Sequence, residues 1–177
     1  MNIWHDIEAE RITPESFVAV IEISKGGKAK YELDKSTGLL KLDRILFTSM
    51  HYPANYGFIP RTYADDLDPL DVLVLCSESI LPLTLVACRP VGLLRMIDEG
   101  QIDEKIIAVC ANDPFYHSHT DVRQLPAHIF AEIRHFYEVY KMLENKATMV
   151  QEIQDGEQAK RIIQKSMDMY ARVFNQK

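Results

Sequence analysis

The hydrophobic period of this chain changes once, about two thirds of the way along, and that change limits the folds open to it. Up to Cys110 the apolar residues come in short runs: Phe17 to Ile23, Ala29 to Leu33, Leu39 to Leu46, Val72 to Cys76, Leu85 to Cys88, Val91 to Met96 and Ile106 to Cys110. Runs of this length, bounded by Gly, Asp, Ser and Pro, predict strands, with Asp34 to Gly38 as a hairpin turn. Beyond Leu125-Pro126 the spacing is helical. Ile129, Ile133, Phe136, Tyr140 and Leu143 fall on one face of a first helix. Ala159, Ile163, Ser166 or Met167, Tyr170 and Val173 or Phe174 form a second amphipathic face after Gly156. Strands first and helices last predict an α+β domain, its helices packed on a mainly antiparallel sheet or small barrel. There is no internal repeat or Gly/Ser linker, so residues 1–177 read as one domain.

Composition excludes several function classes. The chain has 20 Lys+Arg against 26 Asp+Glu, a net charge of −6, which lacks the basic footprint that binds phosphate backbones; a nucleic-acid partner is not expected. Its three cysteines, Cys76, Cys88 and Cys110, lie in strand-like sequence without metal-ligand spacing. Their odd number argues against a disulfide framework and predicts buried thiols in a reducing compartment, the cytoplasm. The stretch MNIWHDIEAERITPESF has neither the apolar core nor the cleavage site of an export signal. No apolar run approaches the roughly 18 residues of a spanning helix, so no membrane partner is expected.

The chemistry concentrates in the hexapeptide DLDPLD, residues 66 to 71. Pro69 disfavours helix and biases Asp68 toward extended backbone, so Asp66, Asp68 and Asp71 belong to a loop feeding a strand. Three carboxylates this close repel one another unless cations share them, and hard divalent ions such as Mg²⁺ take such oxygen ligands. A plain polar turn has the same composition. An EF-hand loop is excluded: counted from Asp66, Asp71 stands where glycine belongs and Ser77 where the final glutamate belongs.

Other segments add charge to the same picture. Asp98 and Asp103 lie in a second acidic run and face each other if their flanking strands pair. Lys30, Glu32 and Asp34 alternate along a strand and share a face. Glu22 is a carboxylate inside the apolar run VAVIEI, costly to bury unless paired or metal-bound. Arg44 precedes the Tyr-, Pro- and Asn-rich segment from His51 to Phe58, which reads as a loop whose tyrosines either pack or, as phenol donors, meet phosphate oxygens. Lys141 lies one residue off the helical stripe, where it either snorkels over the edge or leans into a cleft.

Taken together, these segments resemble the soluble family I inorganic pyrophosphatases in their bacterial form. The likeness runs in order through VIEI, KYELD, Asp43-Arg44, YPANYGFIP, DxDPxD, CRPVGLLRMID, Asp103-Glu104-Lys105 and HFYEVYK. One departure is Leu67, where the family usually has a small or polar residue. The resemblance implies a small five-stranded OB-like β-barrel with flanking C-terminal helices, and hydrolysis of pyrophosphate with several Mg²⁺ ions. It implies that Asp66, Asp71 and Asp103 hold a first metal, with Asp71 bridging to a second. It also puts Asp98 and Asp103 on a third, and Glu32 and Glu22 near a fourth. Asp68 becomes the general base, and Lys30, Arg44, Tyr56, Lys105, Tyr140 and Lys141 hold the substrate, with Tyr52 in support. It further implies a homo-oligomer, a homohexamer as is common among the bacterial members. The rival readings are another Mg²⁺-dependent phosphohydrolase, which lacks its nucleotide fingerprint here, and an OB-type binding module, which would need a basic aromatic groove.

Overall fold

The structure, a computed structural model, describes residues 2–174. Eight strands and two α-helices follow in the order β1 (Phe17–Ile23), β2 (Ala29–Asp34), β3 (Leu39–Ile45), β4 (Asn55–Ile59), β5 (Leu70–Leu75), β6 (Leu85–Asp98), β7 (Gln101–Cys110), α1 (Ala127–Val139), β8 (Thr148–Asp155) and α2 (Gly156–Phe174). Hydrogen bonding runs β1-β4-β5-β7-β6, and β6 returns to β1, which closes five strands into a ring. Within it only β5 and β7 are parallel. This is the OB-like barrel that the family resemblance implies, and it decides between the open sheet and the barrel that periodicity left as alternatives.

Closure depends on the length of β6. The two runs read as separate strands are one, with an irregularity in register between Pro90 and Gly92. Proline has no N–H for the ladder and is tolerated at such a bulge. The first half of β6 borders β1, and beyond the bulge the same edge takes up β8.

The apolar run of β5 does not alternate because both of its faces are covered. Val72 and Val74 pack in the cluster that includes Ala159 and Ile163 of α2. Leu73 and Leu75 pack instead with Ile133, Phe136 and Tyr137 of α1. The three thiols are free: Cys88 and Cys110 are buried and Cys76, just past β5, is half-buried.

Two strands were not anticipated. β4 occupies the segment read as a Tyr-rich loop, and β8 is an edge strand whose mostly polar side chains hide its period. The first helix is also shorter than its stripe. It ends with Tyr140 as its C-cap, and Leu143 is 67% exposed in a 3₁₀ turn, Met142–Glu144. Lys141, at φ −104° and ψ 1°, has left helical geometry.

Gly57 shows how closely β1 and β4 approach: a Cβ there would come within 1.8 Å of the Val20 carbonyl oxygen. The obstacle is backbone, so no rotamer change relieves it. Gly57→Ala is expected to cost about 3 kcal/mol or more, read from the urea midpoint. An unchanged midpoint would show that the two strands part there without penalty.

Candidate active site

Strand alternation carries one barrel face from core to charge. On β7, Val109 and Ile107 lie in the cluster with α1, and the same face continues to Lys105 and Asp103. On β5 the sequence is Leu75, Leu73, Asp71, and on β6 it is Leu94, Met96, Asp98. Register completes the arrangement: Asp71 pairs with Lys105 across the parallel ladder, and Tyr56 pairs with Leu73. Asp98 is directly opposite Gln101, not Asp103; Asp103 is opposite Met96, a diagonal neighbour on the same face.

Every candidate residue named from the sequence except Arg44 lines a single cavity of about 630 Å³. At its floor the Lys105 ammonium, in a residue 3% exposed, donates to Asp71 at 2.7 Å, Asp103 at 3.1 Å and the Tyr56 hydroxyl at 3.2 Å. Burial alone would favour the neutral amine, but Asp103 and Asp71 outweigh it and hold the proton well above the ordinary lysine range. Two carboxylates sharing one ammonium leave a surplus negative charge. Burial, with Asp71 as neighbour, raises Asp103 despite its lysine partner.

Lys141 leans into the cleft, and its Nζ is 2.6 Å from Asp98 Oδ2. The other oxygen, Asp98 Oδ1, is buried with no hydrogen-bond partner among the described residues. Glu22 falls at the register shift between Ile21 and Ile23, where a bulge re-aims a side chain. Its carboxylate accepts from the Leu33 amide at 2.8 Å. Burial and then the nearby Asp71 push its pKa up to about 8. Burial, with Asp71 again next, pushes Asp66 up to about 6.

Lys30 is 2.9 Å from Asp43 and 3.3 Å from Glu32, on the β2–β3 hairpin. Asp34, which shares that face, spends its oxygens on Ser36 and Thr37 in the hairpin turn. Tyr52 packs its ring against Tyr56 and Phe136, and Tyr140 stacks on Phe136. Burial raises both phenols above the ordinary range, which keeps them protonated donors. Arg44 stands outside the cavity lining, its guanidinium held by Asp43 and, with Nε at 2.8 Å, by Glu144.

The acidic loop is braced from the hairpin. Asp66 Oδ1 accepts from the Asp68 amide at 3.1 Å. Lys35 pairs with the Asp68 carboxylate and donates to the Leu67 carbonyl at 2.9 Å. Leu67 itself has φ 68°, a left-handed conformation that favours glycine, and its side chain is 60% exposed and off the cavity lining. The departure at Leu67 therefore strains the loop without entering the site. Lys35 and Glu144 were not singled out from sequence: one belongs to a turn and the other to a broken helix end, and neither carries a period. Tyr137, which also lines the cavity, precedes Tyr140 and Lys141 by three and four residues, a spacing that was there to read.

The donor set suits a hard divalent cation: carboxylate oxygens, one of them orphaned, with the pKa of Glu22, Asp66 and Asp103 raised chiefly by burial and further by Asp71. As they stand, no three acids among the described residues are gathered round one point, and the Lys105 ammonium is close to both Asp71 and Asp103. In metal-free protein, the raised pKa of Glu22 means that the folded state binds more protons than the unfolded chain from its ordinary range up to about pH 8. Stability then falls as pH rises through that window. Glu22→Gln is expected to flatten the decline of Tm with pH measured in chelator, and an unaltered slope would clear Glu22 of that role.

Comparison with known proteins agrees with the geometry. The family model described as inorganic pyrophosphatase matches residues 19–171. A soluble inorganic pyrophosphatase of Solanum tuberosum is 56% identical over 168 residues, covering 95% of this chain and 80% of the relative. Among solved structures, the inorganic pyrophosphatase of Thermus thermophilus superposes with a TM-score of 0.91 at 38% identity, covering 96% of this chain and 99% of that one. That of Helicobacter pylori gives 0.88 at 40%, covering 93% and 98%. Relatives therefore include plant as well as bacterial proteins. The chain belongs to the inorganic pyrophosphatase family.

Proposed function

We propose that this protein hydrolyses inorganic pyrophosphate to two orthophosphates with Mg²⁺ as its cofactor, through one domain spanning the chain. The observation that supports this best is the mixed lining of one small cavity, acids and cations together on the rim of a packed strand face. A purely cationic pocket would suit an anion alone, whereas this one suits an anion that arrives with metal.

Asp66, Asp71 and Asp103 would hold one ion, with Asp71 reaching a second. Asp98 and Asp103 would hold a third, and Glu32 and Glu22 would approach a fourth. When bound, Mg²⁺ neutralises the substrate's charge and brings the pKa of the attacking water toward neutrality. Asp68, on an exposed loop position paired with Lys35, would take that water's proton as general base. Lys30, Lys105, Lys141, Tyr56 and Tyr140 orient the phosphoryl oxygens, and Tyr52 supports them. Arg44 joins them by exchanging an ion pair for a phosphate oxygen. In-line phosphoryl transfer asks chiefly for such positioning and charge stabilisation.

We propose a homohexamer in the cytoplasm, without nucleic-acid or membrane partners. Leu39, Leu42, Ile45 and Phe47 are exposed along and just past β3, apolar area that a second copy would cover. Among the described residues no helix is long and apolar enough to cross a membrane. Light scattering after size exclusion tests the assembly, and a monomer at working concentration would rule it out.

Purified protein is expected to release phosphate from pyrophosphate with Mg²⁺ and not with chelator, while ATP and a simple phosphate ester are poor substrates. Comparable release from ATP or the ester would indicate a general phosphohydrolase. Asp68→Asn is expected to keep the Tm and lose about 10²-fold or more in kcat. Near-normal turnover would remove Asp68 from the role of base.

A further inference from the structure

Tyr137 carries a hydroxyl that nothing in the fold explains. The residue is 1% exposed, and the oxygen has no hydrogen-bond partner among the described residues. A buried hydroxyl left unpaired is costly, and the great majority of such groups find a partner. Packing requires only the ring, which meets Phe136 and Tyr140 edge-on at 5.0 and 5.4 Å between centroids. A phenylalanine would make the same contacts.

The ring borders the cavity that holds Asp71, Asp103 and Lys105, and the Lys105 ammonium is 5.4 Å from its centroid. Tyr140 and Lys141 follow three and four positions later, one turn along the same side of the chain. Lys105, Tyr52, Tyr140 and Asp71 are the charged and phenolic groups that act on it electrostatically, and all line the cavity. Burial raises its pKa well above the ordinary phenol range, so the group stays a donor.

We propose that Tyr137 is a further substrate-binding residue, its hydroxyl donating a hydrogen bond to a phosphate oxygen of the bound substrate. A phosphate oxygen offers only acceptors, and the orphaned phenol has one proton to give. The unmet hydrogen bond of the free protein is then completed by the ligand. This inference rests on the pyrophosphate reading.

The test compares the protein and its Tyr137→Phe variant in Mg²⁺. Methylenediphosphonate, a pyrophosphate analogue that resists hydrolysis, is titrated calorimetrically, and Tm and steady-state KM are measured alongside. The variant keeps the ring, so it isolates the hydroxyl. The expected result is about tenfold weaker analogue binding and a raised KM, with Tm unchanged or higher. Equal affinity in both proteins overturns the inference, as does a lowered Tm with affinity intact, which would assign the hydroxyl to the fold. A parent protein that neither binds the analogue nor releases phosphate overturns the pyrophosphate reading itself, and this inference with it.

Discussion

The buried ammonium of Lys105 between Asp71 and Asp103 is the interaction on which the rest of the structure turns. Removing three charges from water is expensive, and their mutual attraction offsets that cost only when the geometry is good and the remaining polar atoms are satisfied. Here the geometry comes from the parallel pairing of β5 with β7, which sets Asp71 directly across from Lys105. Parallel neighbours require a long connection, and the chain between them forms β6, the strand that also closes the ring. The barrel and the charged floor of its cavity are thus consequences of a single register.

The surplus of acid in the cavity shows what the fold sacrifices for its chemistry. Burial and mutual repulsion raise Glu22, Asp66 and Asp103 together, and Asp98 leaves an oxygen unpaired. Each of these penalises the metal-free fold, and each would be relieved by a bound cation. Stability is given up where function needs unpartnered groups, as is common at active sites. The strain of Leu67 at positive φ adds a smaller penalty on the same loop, held by Lys35.

Much of this was legible in the chain. The hexapeptide carries most of its own argument, since proline marks the end of a loop and the β-branched run marks a strand, but the strand begins earlier than that run and takes in Leu70 and Asp71, which the sequence assigned to the loop. The shared face of Lys30 and Glu32 and the off-stripe position of Lys141 were each compatible with a cleft, and the structure puts all three in the cavity lining. What escaped had no local signature. β4 is rich in residues that also build loops, and β8 pairs at an edge where one side faces solvent. The engagement of Arg44 by Glu144 joins residues a hundred positions apart, and nothing in either segment announces the other. The shortened first helix follows from tertiary demand, because Lys141 leaves the helix and reaches Asp98.

The claim that these acids wait for cations is tested most directly by calorimetric titration of metal-free protein with Mg²⁺ near pH 7, in two buffers of different ionisation enthalpy. Binding to carboxylates that hold protons must release those protons, so the observed heat should depend on the buffer. The account predicts more than one bound ion and net proton release. Absence of binding, or uptake of ions with no proton released, would contradict it.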